Sequence, residues 1–154
     1  RSRWGPEVVA AVTDELIHHR LRDASERQRM ELRARLGVAH PKLIAVVVAM
    51  EASIEQPLSC SNLAKKVQIS ARQLERLFQR YLNTTPTRYY LRVRLERAKR
   101  LLRQTSMPIL SVGLACGFVS ASHFSKSYNE YFRLTPSAER RTLRAPARPS
   151  AAEA

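Results

Sequence analysis

Residues 63–87 read LAKKVQISARQLERLFQRYLNTTPT, and this stretch decides the fold because the chain repeats it. Residues 112–137, VGLACGFVSASHFSKSYNEYFRLTPS, match it with apolar residues opposite apolar residues. Leu63 pairs with Val112 at an offset of 49, whereas Ser70 pairs with Ser120 at an offset of 50. One residue is therefore inserted in the turn of the second copy. Repetition of this kind predicts a duplicated supersecondary unit.

Each copy has the pattern of two short helices joined by a tight turn. In the first copy, Ser59 or Ser61 can cap one helix and Ser70 can cap the next. The second helix has an apolar stripe at helical spacing, formed by Leu74, Leu77, Phe78 and Tyr81. Its opposite face is polar and basic. This arrangement predicts a helix-turn-helix.

The second copy extends from Ile109 to Tyr131, with Ser120 as the cap of its second helix. Its inward residues are predicted to be Phe124, Tyr128 and either Tyr131 or Phe132. Small residues, Ala64 and Gly113, allow the two helices of each copy to pack closely. The alternative interpretation is a pair of amphipathic hairpins in an ordinary helical bundle.

A long helix is predicted between the copies. Thr85 caps it, Pro86 suits its first turn, and it can continue to about Gln104 because Pro108 stops it soon afterwards. Its predicted buried stripe is Tyr90, Leu91, Leu95, Ala98 and Leu102. A helix of this length spans roughly 28 Å at about 1.5 Å per residue. Successive major-groove faces of B-DNA lie about 34 Å apart.

Composition and charge favour a helical protein with a polyanionic partner. The chain has only four glycines and six percent aromatic residues, and its formal net charge is +14. Ten basic and two acidic residues lie between Arg72 and Arg103, so +8 of that charge falls in one block. Such a block indicates nucleic acid as the partner. The alternative is a solvated basic face that only aids solubility.

Several function classes lack their sequence signatures. The longest apolar run, LIAVVVAM at 43–50, is too short to cross a bilayer, and no signal peptide opens the sequence, so we expect a cytoplasmic protein. Cys60 and Cys116 have neither metal nor disulfide spacing and are expected to be reduced thiols. No HExxH motif, paired CxxC motif, glycine-rich phosphate loop or nucleophile elbow occurs. We therefore expect no enzyme activity, no metal and no cofactor.

Residues 41 to about 141 resemble the DNA-binding domain of the AraC/XylS family of bacterial transcription regulators. The first half matches through LAKKVQISARQLERLFQRYLNTTPTRYYLRVRLERAKRLL (63–102), and the second through ACGFVSASHFSKSYNEYFRLTPSAER (115–140). The resemblance implies an all-α fold of about seven helices, with two helix-turn-helix subdomains joined by a long central helix. Each subdomain then offers one recognition helix to a major groove of double-stranded DNA.

The N-terminal segment adds a second resemblance. ELIHHRLRDASERQRMELRARLGVAHPKL (15–43) is similar to a subgroup whose sensor is a class I glutamine amidotransferase-like domain, and Pro6 can open a helix there. The expected organisation is a sensor remnant and helical linker (1–40), a first subdomain (41–84), a central helix (85–105), a second subdomain (106–141) and a disordered tail (142–154).

The sequence departs from the family pattern at a few positions. Asn83 and Arg133 stand where a turn glycine is usual, so we expect the second of these turns to be strained or differently shaped. Glu139 stands where the family usually has an aromatic residue, and Gly113 where it usually has an alanine. The family pattern therefore does not predict the packing around these two residues.

The resemblance implies a set of base-reading residues, namely Arg72, Glu75, Arg76, Ala121, Ser122, Ser125 and Lys126. An arginine can donate two hydrogen bonds to guanine, and a carboxylate can accept one from cytosine. Glu75 could instead orient Arg72 or Arg76. Because the second helix has shorter polar side chains, we expect direct readout mainly from the first helix and positioning mainly from the second.

Phosphate contacts are expected from Arg80, Arg88, Lys126 and the helix starts at Ser70 and Ser120. His123 matches a position that can approach the DNA backbone, or it is a partly buried spacer beside Phe124. The adjacent His18 and His19 are expected to lie on the solvent side of the linker.

For the full-length protein the resemblance implies an activator that contacts RNA polymerase, a small-molecule effector bound by an N-terminal sensor domain, and a homodimer. The chain by itself is expected to be monomeric. The alternative to specific DNA binding is a basic protein that binds RNA or other nucleic acid without sequence preference, for which exposed stacking aromatics are typical.

Overall fold

Residues 6–144 are described by a computed structural model of the chain, and their regular secondary structure is entirely helical. They form α1 (Pro6–Leu36), α2 (Pro41–Ala52), α3 (Cys60–Lys66), α4 (Ala71–Leu82), α5 (Pro86–Gln104), α6 (Ile109–Ala115), α7 (Ala121–Phe132) and α8 (Pro136–Arg144). The all-α prediction is confirmed, with a long N-terminal helix followed by seven shorter ones.

The chain divides after Val48 into two compact units. In the first unit, α1 is one continuous helix of 31 residues that begins at Pro6, as predicted. Leu32 and Val38 near its end are buried. Its exposed apolar side chains include Leu16, Ile17, Leu21 and Met30. His18 and His19 are exposed and face Asp14 and Asp23 one turn away, which confirms their solvent-side placement.

The second unit contains both helix-turn-helix pairs, α3 with α4 and α6 with α7. The helices α3 and α6 begin at Cys60 and Ile109, whereas α4 and α7 begin at Ala71 and Ala121. The offset therefore changes from 49 to 50 within the turn, as the sequence predicted. The inserted residue is Val119, whose side chain is 89% exposed.

The central helix α5 begins and ends at the predicted residues. The Thr85 hydroxyl accepts a hydrogen bond from the Arg88 N–H at 3.2 Å, and Pro86 is the first helical residue. The predicted stripe is buried, with Leu91 only partly covered. Tyr89 is also buried, at 3% exposure, which the sequence analysis did not predict.

Aromatic rings fill the core of the second copy. Phe124 and Tyr128 are fully buried, with ring centroids 5.7 Å apart, and Phe132 packs against this cluster. Tyr131 is 44% exposed, so Phe132 is the inward residue of the two. A Cβ added to Gly113 would lie 3.0 Å from the Phe124 ring, which explains the need for a small residue there.

The structure shows how Glu139 packs at a position where the family usually has an aromatic residue. It is buried at 4% exposure, and its carboxylate accepts a hydrogen bond from the Arg103 Nε at 2.7 Å. Fifty residues earlier, the same position of the repeat is occupied by Tyr89, whose ring packs edge-on against Phe78. An ion pair to α5 therefore takes the place of an aromatic contact.

Two predictions need correction. Tyr81 was assigned to the inward stripe of α4 but is 38% exposed, because it lies near the end of the helix where fewer residues remain to cover it. Residues 142–144 were assigned to a disordered tail but belong to α8, where the Thr142 hydroxyl donates to the Ala138 carbonyl at 2.9 Å. The rest of that predicted tail, 145–154, lies outside the described residues.

Candidate nucleic-acid interface

The outward face of α4 is basic and exposed. Ser70 caps the helix in a full capping box: its hydroxyl accepts from the Gln73 N–H at 3.1 Å, and its own N–H donates to the Gln73 side chain at 2.9 Å. Leu74 and Phe78 are fully buried on the inner face. The predicted contact residues of this helix, Arg72, Glu75, Arg76 and Arg80, are all exposed.

Glu75 lies between two arginines on this face without pairing to them. Within residues 6–144, no ion pair shorter than 4.0 Å joins Glu75 to Arg72 or Arg76. All three side chains are exposed and can contact an external ligand. The guanidinium of Arg80 instead lies over the Tyr81 ring, 5.5 Å from its centroid.

The outward face of α7 is less charged. Ala121, Ser122 and Lys126 are exposed, whereas Ser125 is only partly exposed. The Lys126 ammonium lies 4.0 Å from the Glu130 carboxylate one turn later, and both side chains are largely exposed. An exposed pair at this distance contributes little to stability. Lys126 is therefore the one long cation that α7 presents among the predicted base-reading residues.

Among residues 6–144, the start of α7 has only one of the two hydrogen bonds that form the capping box of α4. The Ser120 hydroxyl accepts a hydrogen bond from the His123 N–H at 3.1 Å. No side chain of residues 6–144 closes the box on the Ser120 N–H, since His123 stands where α4 has Gln73. The Ser70 N–H is already engaged by its own capping box, so the Ser120 amide is the more available donor for a phosphate.

His123 combines features of its two predicted roles. Its side chain is exposed, as a phosphate contact requires. Its ring also lies edge-on to Phe118, with centroids 5.5 Å apart. It packs against the buried Phe118 with its own side chain exposed, so it is not the partly buried spacer of the alternative prediction.

Both α4 and α7 end in the same turn despite the unusual residues there. Asn83 has φ 49° and Arg133 has φ 56°, so both adopt the left-handed conformation that glycine favours. The Arg133 N–H donates to the Asn129 carbonyl at 2.8 Å. The second turn therefore keeps the shape of the first, and the conformational strain expected there falls on Arg133.

A cleft of about 530 Å³ lies between α5 and α7. Its lining includes Arg88, Arg92, Ser127, Glu130 and Tyr131. The predicted phosphate contact Arg88 is exposed at the first turn of α5. Arg88 therefore lies close to α7 in space, although it follows α4 in sequence.

Two tyrosines lie at the surface, although an inward position was predicted for Tyr81 and was one of two options for Tyr131. Tyr81 and Tyr131 are 38% and 44% exposed and occupy the same position of the repeat, near the ends of α4 and α7. The repeat could have revealed them. Tyr81 and Tyr131 occupy the same position in both copies, and each lies near a helix end, where a side chain is buried only if another element covers it.

The two cysteines show no sign of activation. Burial raises the pKa of the Cys60 thiol, and it raises the pKa of the Cys116 thiol to about 11. Both thiols are therefore protonated at neutral pH and poorly nucleophilic. Within residues 6–144, no cluster of three or more His, Cys, Asp or Glu side chains could hold a metal ion. In the same residues, no helix has the length and apolar character needed to cross a membrane.

Known regulators are similar in sequence to most of this chain. Residues 63–142 match a family described as a helix-turn-helix domain. The HTH-type transcriptional regulator ArgR of Pseudomonas aeruginosa is 49% identical over 140 residues, which are 91% of this chain and 43% of that protein. GbdR of the same species is 50% identical over 136 residues, 88% of this chain and 37% of that protein. The chain thus spans less than half the length of these relatives.

Solved structures share the fold as well. A transcriptional regulator from Chromobacterium violaceum, described as an AraC-type DNA-binding domain-containing protein, is 52% identical. It superposes with a TM-score of 0.66 over 70% of this chain and 96% of that one. The DNA-binding domain of AdpA, solved in complex with a target DNA, has the same fold, with a TM-score of 0.66, 24% identity and coverage of 72% and 99%. The chain belongs to the AraC/XylS family of helix-turn-helix transcriptional regulators and contains the DNA-binding domain of that family.

Proposed function

We propose that this chain binds double-stranded DNA sequence-specifically by placing α4 and α7 in successive major grooves. The observation that carries the proposal is that each helix buries one stripe and presents the opposite face to solvent. On α4, Leu74 and Phe78 are fully buried while Arg72 and Arg76 are exposed. The AdpA domain, which has the same fold, was solved with its target DNA.

Direct base readout is assigned mainly to α4. Arg72 or Arg76 donates two hydrogen bonds to guanine O6 and N7, and Glu75 accepts one from cytosine N4. Glu75 is exposed beside both arginines, so we assign it the base contact, with orientation of Arg72 or Arg76 as the alternative role. On α7, Ala121 meets a thymine methyl, and Ser122, Ser125 and Lys126 make shorter, adaptable contacts.

Phosphate contacts fix the domain on the duplex. Arg80, Arg88 and Lys126 supply exposed cations, and Ser120 supplies a helix-start amide with no partner among residues 6–144. The Ser70 hydroxyl can still donate its hydrogen, although its N–H is engaged. His123 can donate a ring N–H from its exposed side chain.

The central helix supports the spacing of the two contacts. It has 19 residues, which correspond to roughly 28 Å at about 1.5 Å per residue. This length is close to the roughly 34 Å between successive major-groove faces on one side of B-DNA. The length of α5 therefore supports two contacts on the same side of the duplex.

The competing function is nucleic-acid binding without sequence preference. Proteins of that kind stack bases on exposed aromatic rings. Among the phenylalanines and tyrosines of residues 6–144, only Tyr81 and Tyr131 expose their rings substantially, each near the end of a helix. This distribution favours groove reading by helices over base stacking.

The test is selection of bound duplexes from a random pool, followed by footprinting of the selected site. We expect a site with two conserved elements one helical turn apart and two protected groove segments on one face. Competition with unrelated duplex at physiological salt should leave a preference of roughly 10³-fold or more. A single protected segment, or no enriched sequence, would contradict the proposal.

For the full-length protein we propose a cytoplasmic transcriptional activator that contacts RNA polymerase, dimerises, and binds a small-molecule effector through an N-terminal sensor domain. The relatives that are more than twice as long as this chain support the presence of further regions. Transcription from a template carrying the selected site, with purified RNA polymerase and the full-length protein, tests the activating role. Repression of the basal transcript would contradict it.

A further inference from the structure

A set of hydrogen bonds and close contacts joins the two helix-turn-helix copies near the middle of α5. We call this set the junction. It consists of the loop 53–58, which precedes α3, the side chains of Tyr90 and Arg94, and the turn 116–118, which joins α6 to α7. Tyr90 and Arg94 lie one helical turn apart on α5.

Tyr90 holds the loop of the first copy. Its hydroxyl donates to the Ser53 carbonyl at 2.7 Å and accepts from the Leu58 N–H at 3.3 Å. The side chain is 6% exposed. Both ends of the loop are therefore attached to one buried atom of α5.

Arg94 holds the turn of the second copy. Its Nε donates to the Cys116 carbonyl at 2.8 Å, and its Nη2 donates to the Gly117 carbonyl at 2.7 Å. The guanidinium also lies over the Phe118 ring, 4.2 Å from its centroid. Two directional bonds and one stacked ring fix the turn against α5.

The loop and the turn also touch each other. A Cβ added to Gly117 would lie 2.5 Å from the Ile54 carbonyl oxygen and 2.6 Å from Pro57 Cγ. Ile54 in turn packs against the core of the second copy. The loop, α5 and the turn therefore each contact the other two. A movement of any one of them would have to break its contacts with both of the others.

We propose that the junction fixes the position and rotation of α7 relative to α4 and so selects the spacing between the two DNA elements that the domain binds. The inference rests on the proposed function, since it assumes that both helices enter grooves. Tyr90 and Arg94 act here as positioning residues. One added base pair shifts the second element by about 3.4 Å and rotates it by roughly 34°, so only a rigid domain discriminates against it.

The experiment compares binding to the selected site with binding to sites whose two elements are moved apart by one or two base pairs or together by one. The variants are Tyr90→Phe, which removes only a hydroxyl, and Arg94→Met, which keeps the apolar stem. Arg97→Met, on the exposed face of the same helix, is the matched control. Binding to a single element is measured in parallel, and circular dichroism reports folding.

We expect the parent domain and Arg97→Met to lose roughly tenfold or more in affinity per changed base pair, the size of a poor contact at one element. In Tyr90→Phe and Arg94→Met this penalty should fall to about threefold or less, with single-element affinity unchanged. Paired spin labels at Gln79 and Asn129, on a Cys60→Ser background, should show a broader distance distribution in both variants.

An unchanged spacing penalty and an unchanged spin-label distribution in Tyr90→Phe would overturn the inference, even if Arg94→Met does not fold. A parent domain that binds all spacings equally well would also overturn it while leaving specific DNA binding intact. A parent domain with no selected site at all contradicts the proposed function itself.

Discussion

The helices α4 and α7 are each 12 residues long, each follows a serine cap and each ends on a residue in the left-handed conformation. Their outward faces have little in common. The first presents Arg72, Glu75 and Arg76, and the second presents Ala121, Ser122 and Lys126. The two copies retain their caps, turns and buried positions but differ at their exposed positions. The shared backbone therefore constrains the inner residues, and the outer residues can differ according to the ligand that each helix contacts.

The cores also differ, in polarity. In the first copy Phe78 packs edge-on against Tyr89, with centroids 5.5 Å apart. In the second copy the same positions hold Tyr128 and Glu139, and the carboxylate pairs with Arg103. The second copy therefore has a buried carboxylate, paired with the half-exposed Arg103, where the first has the Tyr89 ring, and it has further aromatic contacts from Phe118 and Phe132.

The largest effect is expected from emptying the aromatic core of the second copy. Phe124→Ala should lower the free energy of unfolding by about 3–5 kcal/mol, because it removes a fully buried ring in contact with Phe118 and Tyr128. Leu74→Ala, at the same position of the first copy, is the matched variant and should cost less, nearer to about 2–3 kcal/mol. Urea denaturation measures both. Equal costs would show that the extra rings of the second copy add nothing.

The next effect concerns DNA and separates the two outward faces. If Arg76 makes the bidentate guanine contact proposed for Arg72 or Arg76, Arg76→Ala should weaken binding to the selected site by about 1–3 kcal/mol and relax specificity at one base pair. Ser122→Ala on α7 should cost less than about 0.5 kcal/mol, since it removes one short side chain. Titration of the labelled duplex at fixed salt measures both. A larger loss for Ser122→Ala would reverse the assigned roles of the two helices.

A smaller effect separates the two turns. Gly117 has φ 78° and touches the Ile54 carbonyl, whereas its counterpart Gln68 has φ 57° and is exposed. Gly117→Ala should cost more than about 1 kcal/mol, because it adds backbone strain and a clash with backbone. Gln68→Gly should change stability by less than about 0.5 kcal/mol, since relief of the strained φ offsets the entropy that glycine loses on folding. Thermal and urea unfolding distinguish the two outcomes.

Local chemistry explains which parts of the fold the sequence could predict. Both ends of α5 were predicted because a Thr-Pro start and a later proline act within a few residues of the helix end. The one-residue insertion was predicted because the apolar register on either side of it is strict. The outward residues of α4 followed from the same register, since a helix with one buried stripe must expose the opposite face.

Long-range contacts explain what the sequence could not predict. Arg94 looks like one more basic residue of α5, and only the fold brings it to the Cys116 and Gly117 carbonyls. The burial of Glu139 depends on Arg103, which lies 36 residues away in sequence. Tyr81 and Tyr131 satisfy an inward pattern but lie near helix ends, where they are only partly covered. Partners distant in sequence leave no periodic signal.

The smallest effect sharpens the contrast between Phe78 and Tyr128. Burial raises the pKa of the Tyr128 hydroxyl, and the charge of Glu139 raises it further. This hydroxyl makes no hydrogen bond of acceptable geometry among residues 6–144, although the Glu139 carboxylate lies close enough to act as an acceptor that raises its pKa. Replacing it in Tyr128→Phe should therefore leave stability at pH 7 unchanged or raise it by up to about 1 kcal/mol.

The pH dependence of this variant follows from the direction of the pKa shift. The folded state holds the Tyr128 proton more tightly than the unfolded chain, where a tyrosine pKa is about 10. The parent domain therefore keeps this contribution to stability below pH of about 10 and loses it as the pH rises further. In Tyr128→Phe that loss is absent, so the stability difference between variant and parent should grow above pH of about 10. Urea unfolding at several pH values measures the difference, with Tyr131→Phe on the exposed side of the same helix as the control. A difference that stays constant between pH of about 8 and 11 would mean that Tyr128 ionises as readily in the folded domain as in the unfolded chain, and that its surroundings are as permissive as solvent.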